Sequence, residues 1–192
     1  LIDFYVFRFV CAKLKGWIDN GRQAFHVSVN FSTASLMQPS FVEQLTAICS
    51  SYHISPRYMQ IEVTERVHDM EGLDIKYLIS KLRQAGFTVA IDDFGTEYAN
   101  LALLSEVEFD VLKLDKSMID NISSNPKTKA VVESISEICT KLGIDMVEGI
   151  ETEEQFSTLR SCGVGLAQGF LFSRPISTDE YEERYLNTTI DK

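Results

Sequence analysis

The chain is poor in residues that punctuate, cross-link or ligate. It has four prolines and ten glycines in 192 residues. No Pro/Gly/Ser linker, internal repeat or low-complexity tract divides it, so one domain over residues 1–192 is expected. Its four cysteines, Cys11, Cys49, Cys139 and Cys162, lack the spacing of a metal site. Three fall on apolar helix faces, and together they read as reduced core thiols of a cytosolic protein. The three histidines, His26, His53 and His68, form no paired motif, and His26, just ahead of a strand pattern, reads as structural. No run is long and apolar enough to span a membrane, and no signal-peptide pattern opens the chain. A cytoplasmic location is the expectation, as a free protein or as the cytoplasmic part of a larger one. Positive charge is scarce too: 18 Lys and Arg stand against 28 Asp and Glu, a net charge of −10. That argues against a broad DNA or anionic-membrane surface. It leaves room for a small anionic ligand, because a bound metal can invert the local potential.

What is present is a soluble globular composition, 45% hydrophobic and 24% charged, enough for a sizeable core. Short apolar runs close on polar residues. Val27-Ser28-Val29 ends in Asn30, and Met59-Gln60-Ile61 ends in Glu62 with Glu65 beyond. Val89-Ala90-Ile91 ends in Asp92-Asp93. Val111-Leu112 leads into Lys113 and Asp115. Met146-Val147 ends in Glu148 with Glu151 after it, and Gly165-Leu166-Ala167 ends in Gln168. Continuous apolar strands of this kind belong to parallel sheets covered on both faces. Between them lie helix patterns over Phe4 to Trp17, Phe41 to Tyr52, Gly72 to Ala85, Lys127 to Leu142 and Glu153 to Cys162. Glycines just past several of these mark their stops. Alternating strands and helices predict an α/β fold with a parallel sheet. In a barrel of such strands, chemistry gathers at the C-terminal strand ends.

The doublet Asp92-Asp93, followed by Phe94-Gly95-Thr96, is the most informative of these ends. Adjacent carboxylates raise each other's pKa unless a cation compensates. A divalent metal is one reading, with one carboxylate bridging two ions while its neighbour serves one. An Asp-rich turn with a helix N-cap is the other. Lys113 is open to an ion pair with an acidic neighbour, and Gln168 to being an ordinary polar strand end.

Taken together, these stretches resemble the EAL domain of bacterial cyclic-di-GMP phosphodiesterases. The resemblance rests on Val29-Asn30-Phe31-Ser32, Ile61-Glu62-Val63-Thr64-Glu65, Ile91-Asp92-Asp93-Phe94-Gly95-Thr96, Leu112-Lys113-Leu114-Asp115, Glu148-Gly149-Ile150-Glu151-Thr152 and Gln168-Gly169-Phe170-Leu171-Phe172-Ser173-Arg174-Pro175, in family order. It implies a modified TIM (β/α)8 barrel, here lacking its N-terminal strand or strands. It further implies hydrolysis of cyclic-di-GMP to linear pGpG with two ions of Mg²⁺ or Mn²⁺, about 4 Å apart. By that resemblance Asn30, Glu62 and Asp92 hold one metal, and Asp92 bridges to a second that Asp93 helps to bind. Lys113 contacts the attacking water or the phosphate, and Glu148 is the general base. Glu65 anchors the loop after Asp93, while Asp115, Glu151 and Gln168 support the site. Hard oxygen ligands suit Mg²⁺ or Mn²⁺, and no His or Cys cluster asks for zinc. A homodimer and a fused GGDEF or sensor domain are the partners that the family implies.

Two departures bear on activity. The Glu-Ala-Leu motif that names the family, whose Glu is a metal ligand, is absent, and the chain opens inside a helix pattern. The expectation is a piece of a longer protein, short of the roughly 250 residues of a closed barrel. Glu97 stands where the family has Gly, and Ala99-Asn100 replaces Ser-Ser; Gly permits backbone conformations that Glu resists. The alternative to an enzyme is a degenerate module that binds cyclic-di-GMP or a protein partner without hydrolysis.

Overall fold

A five-stranded, all-parallel sheet in the order β1-β2-β3-β4-β5 forms the centre of the computed structural model. The structure describes residues 2–22, 25–65, 74–96, 101–147 and 149–186. Glu148, Glu97, Ala99, Asn100 and His68, named from the sequence, lie outside them.

Helix α1 (Ile2–Asp19) precedes β1 (Val27–Asn30). Helices α2 (Thr33–Leu36) and α3 (Phe41–Ser51) lead to β2 (Met59–Thr64). Helix α4 (Ile75–Gln84), β3 (Thr88–Phe94), α5 (Leu101–Glu106), β4 (Val111–Leu114), α6 (Lys116–Ile119) and α7 (Pro126–Leu142) follow. Strand β5 (Asp145–Val147), α8 (Glu153–Ser161), α9 (Thr178–Tyr181) and a π-helical turn over Glu182–Leu186 complete the order. Sequential parallel order without reversal is that of a barrel wall. A doubly wound sheet would reverse its order at a switch point.

The helices form for local reasons. In α1, Phe4, Phe7, Cys11, Leu14 and Trp17 are buried at a 3.6-residue spacing, which lays one stripe on the sheet. Asn125 caps α7 by accepting from the Lys127 and Thr128 amides, and Gly143, at φ 71°, ends it. A left-handed residue just past a helix is where glycine is least strained. Thr152 and Gln155 form a reciprocal capping box at α8, which satisfies amides that the first helical turn leaves unpaired. The interiors of β2 and β3 are almost continuously buried, as expected of strands covered on both faces. All four cysteines are buried and none is in a disulfide. Among the described residues, no helix is long and apolar enough to cross a membrane.

One strand expected from sequence is absent. Gly165-Leu166-Ala167 forms no strand; the segment meets the sheet through an isolated parallel bridge between Gly149 and Gln168. Gly169, at φ 137°, follows Gln168, and beyond it the Leu171 amide donates to Ile150 O at 3.0 Å. Short α2, α5 and α6 were not anticipated, because four to six residues are too few to show a periodicity.

Candidate active site

The C-terminal ends of β1 to β4 converge. Asn30 lies beside Glu62 in the β1–β2 register, and the Asn30 amide Nδ2 donates to Glu62 Oε2 at 2.8 Å. The Lys113 ammonium donates to that same Glu62 oxygen at 2.9 Å and to Asp92 Oδ2 at 2.7 Å. Glu62 is only 4% exposed, and the side chains of Lys113 and Asp92 are 15% and 18% exposed. A charge this deep is tolerated only when it is paired and hydrogen-bonded.

A bulge sets the geometry. Ile91 registers with Leu112 and Phe94 with Leu114, so β3 advances by three residues where β4 advances by two. Asp92 and Asp93 together therefore stand against Lys113. Extra residues of this kind re-aim side chains and recur beside active sites. Asp93 has a left-handed backbone, φ 57°, a conformation that Asp tolerates better than most residues. Its amide donates to Asp92 Oδ1 at 2.9 Å, which fixes the second oxygen of that carboxylate.

Burial pushes the Lys113 ammonium toward neutrality. Hydrogen bonds to Asp92 and Glu62, and then the charges of both, outweigh that effect and hold its pKa above the ordinary lysine value. Lys113 is thus a fixed cation at neutral pH.

The remaining sequence-derived residues sit around this cluster. Glu65 Oε2 accepts from the Gly95 amide at 2.9 Å, tying the end of β2 to the turn after β3. Asp115 caps α6, accepting from the Ser117 amide at 2.9 Å, and its own amide bonds Phe94 O at 3.0 Å. Glu151 pairs with Lys116 at 2.8 Å on the surface. Gln155 Oε1 holds the Glu151 amide at 2.9 Å. The Gln168 carbonyl accepts from the Ile150 amide at 2.7 Å. The structure thus brings Asn30, Glu62, Asp92 and Lys113 into one bonded cluster and places Glu65, Asp115, Glu151 and Gln168 in backbone and helix-end contacts around it. Among the described residues, no group of three or more His, Cys, Asp or Glu side chains is gathered as a metal cage.

Sequence reasoning missed Asp3. Its Oδ2 accepts from the Ser32 amide and from the hydroxyls of Ser32 and Ser35, at 3.0, 2.6 and 2.7 Å. No local pattern connects residue 3 to residue 32. The one available signal was an Asp in the first turn of an amphipathic helix.

The model of the EAL domain family matches residues 1–175. The chain is 33% identical over 184 residues to the cyclic di-GMP phosphodiesterase NbdA of Pseudomonas aeruginosa, covering 95% of this chain and 23% of NbdA. Among solved structures it resembles the EAL domain of Mycobacterium smegmatis DcpA, with 32% identity, a TM-score of 0.88, and 95% of this chain and 82% of that one covered. It also resembles Klebsiella pneumoniae BlrP1 in complex with manganese and cyclic di-GMP, with 34% identity, a TM-score of 0.80, and 90% and 44% coverage. The fold is therefore TIM-barrel-like. The chain spans less than a third of NbdA's length.

Proposed function

The chain belongs to the EAL domain family, and from that premise we propose that it carries the catalytic site of a phosphodiesterase that opens cyclic-di-GMP to linear pGpG with two divalent ions, Mg²⁺ or Mn²⁺. The observation that carries this reading is the shared ammonium: Lys113 bonds both Glu62 and Asp92, and Asn30 bonds Glu62.

The donor set fits divalent cations. One ammonium facing two carboxylates leaves negative charge that a further cation would offset, and amide and carboxylate oxygens are the hard donors that Mg²⁺ and Mn²⁺ take. Asn30, Glu62 and Asp92 would hold one ion, with Asp92 shared by the second and Asp93 serving it. Bound ions would supply charge stabilisation and an acidified water.

This chain's own residues supply the rest. Lys113, held charged, faces the negative charge that grows on a phosphoryl group under attack. Its hydrogen bonds also orient Glu62 and Asp92. Glu148 takes the proton from the attacking water. Glu65 holds the Gly95 turn, so the bulge that sets Asp92 against Lys113 keeps its shape. The protein acts in the cytoplasm, as a homodimer and one domain of a longer chain with GGDEF or sensor modules.

Steady-state conversion of cyclic-di-GMP to pGpG under Mn²⁺, with binding measured separately under Ca²⁺, tests the reading. Lys113→Ala and Glu148→Gln are each expected to lower kcat by about 10²-fold with smaller effects on binding. Wild-type kcat in Glu148→Gln removes its role as base. A wild-type protein that binds the dinucleotide and never turns it over makes the chain a binding module instead.

A further inference from the structure

Helix α1 reaches the site through Asn30, which ends β1, and the two residues that follow it. Asn30 gives its Nδ2 hydrogen to Glu62, which leaves Oδ1 as the atom able to meet a cation or a ligand donor. The next residue, Phe31, is 5% exposed. Its ring packs edge-on or tilted against Phe4, Phe7 and Phe41, with centroids 6.0, 5.8 and 4.9 Å away. The residue after that, Ser32, gives both its amide and its hydroxyl to Asp3, and Ser35 gives its hydroxyl to the same oxygen.

Two anchors on one helix, an aromatic pair and a carboxylate, therefore grip the two residues directly after Asn30. An amide side chain on a short exposed strand end has several rotamers, and immobilising the backbone beyond it narrows the choice. Charge-assisted bonds such as those to Asp3 are the stronger kind.

We propose that Asp3 is a positioning residue for the catalytic site: by fixing Ser32 it sets the Asn30 amide against Glu62 and so presents Asn30 Oδ1 for binding. The inference rests on the phosphodiesterase reading of the cluster. Asp3 touches neither ligand nor reacting atoms; it acts through Ser32 and Asn30. It ties the first turn of α1 to the mouth of the barrel, which makes α1 part of the active-site wall.

The test compares the wild-type protein with Asp3→Ala, Asp3→Asn and Cys11→Ala. Cys11 is buried on the same helix, has no part in the cluster, and serves as a control for destabilisation. The readouts are Mn²⁺ affinity by calorimetry, the kcat and KM of cyclic-di-GMP hydrolysis, the thermal midpoint, and the Asn30 side-chain amide resonance without metal. Asp3→Ala is expected to shift the Asn30 resonance and to weaken Mn²⁺ binding by about ten-fold, the usual effect of losing a group that orients a ligand. kcat should fall with it and KM should change little. Asp3→Asn keeps an acceptor oxygen and should recover part of each loss, whereas Cys11→Ala should lower the thermal midpoint and leave Mn²⁺ affinity unchanged. An Asp3→Ala protein with the wild-type Asn30 resonance and Mn²⁺ affinity overturns the positioning role. So does equal loss of affinity in Cys11→Ala. Wild-type protein that takes up no Mn²⁺ overturns the phosphodiesterase reading itself, a result distinct from either of these.

Discussion

At Lys113 one ammonium answers two carboxylates, and most of the site's electrostatics follows from that count. Glu62, at 4% exposure, and Asp92 share the Lys113 ammonium, and buried charges are tolerated when they are paired in this way. Asp3 shows the same logic away from that cluster. Burial pushes its carboxyl upward, but hydrogen bonds from Ser32 and Ser35 outweigh burial and hold it below the ordinary value of 3.8. A carboxylate depressed in the folded state stabilises the fold above its unfolded pKa, and that contribution is lost as pH falls through the folded value. Asp3 therefore contributes at neutral pH and stops contributing in acid, below about pH 4. Urea titrations between about pH 2 and 6 should show wild-type stability falling more steeply with acid than that of Asp3→Asn. Parallel curves would mean that Asp3 titrates alike folded and unfolded.

Among the elements, glycines mark where backbone geometry is decisive, and two of them predict opposite signs. Gly169 sits at φ 137°, and a methyl group there would overlap the backbone of Ile150. That backbone carries the bonds from Ile150 to Gln168 and from Leu171 to Ile150, which join the last described segment to the sheet. Gly169→Ala should cost about 1–3 kcal/mol. Gly16 lies inside α1 with nothing within 4 Å of an added Cβ. Gly16→Ala should stabilise by up to about 1 kcal/mol, the helix-propensity difference. Urea unfolding of both variants checks the pair, and a neutral Gly169→Ala would mean that the 149–168 bridge contributes nothing. The bulge in β3 belongs to this scale as well. It is a property of neither Asp92 nor Asp93 alone but of two strands advancing at different rates.

At the scale of the whole molecule, α1 joins distant parts of the chain. Trp17 Nε1 and Lys13 both donate to Glu182 Oε1 at 3.0 Å, and the Trp17 and Tyr181 rings lie 5.8 Å apart. One end of α1 therefore holds the C-terminal helical turns, while its other end holds Ser32. Because strands β1 to β4 each contribute to the cluster, an ion bound there stabilises the fold as a unit. Mn²⁺ at 100 times its dissociation constant should add about 2.7 kcal/mol of stability by mass action. Thermal unfolding with and without Mn²⁺ reads this directly, and Asp92→Asn should abolish most of the shift. An undiminished shift in that variant would place the ion elsewhere.

Strand and helix identity was largely legible in the sequence, because it depends on local periodicity and on caps within a few residues. The run Val89-Ala90-Ile91 ending in carboxylates and the stripe from Phe4 to Trp17 both appear where their patterns place them. The run Gly165-Leu166-Ala167 looks the same locally, yet it makes only a bridge, since a strand also needs a partner along its length. The site's contacts were beyond any local reading. They join residues 32, 51 and 21 positions apart, and only the register of a parallel sheet makes such residues neighbours. The sequence determined which residue types stand at the strand ends. The tertiary structure decided that Lys113 is shared by Glu62 and Asp92, that Asp92 and Asp93 together face it across a bulge, and that Asp3 grips Ser32. Hydrogen bonds and ion pairs act over a few ångströms, and those distances are set by packing across the fold rather than by spacing along the chain.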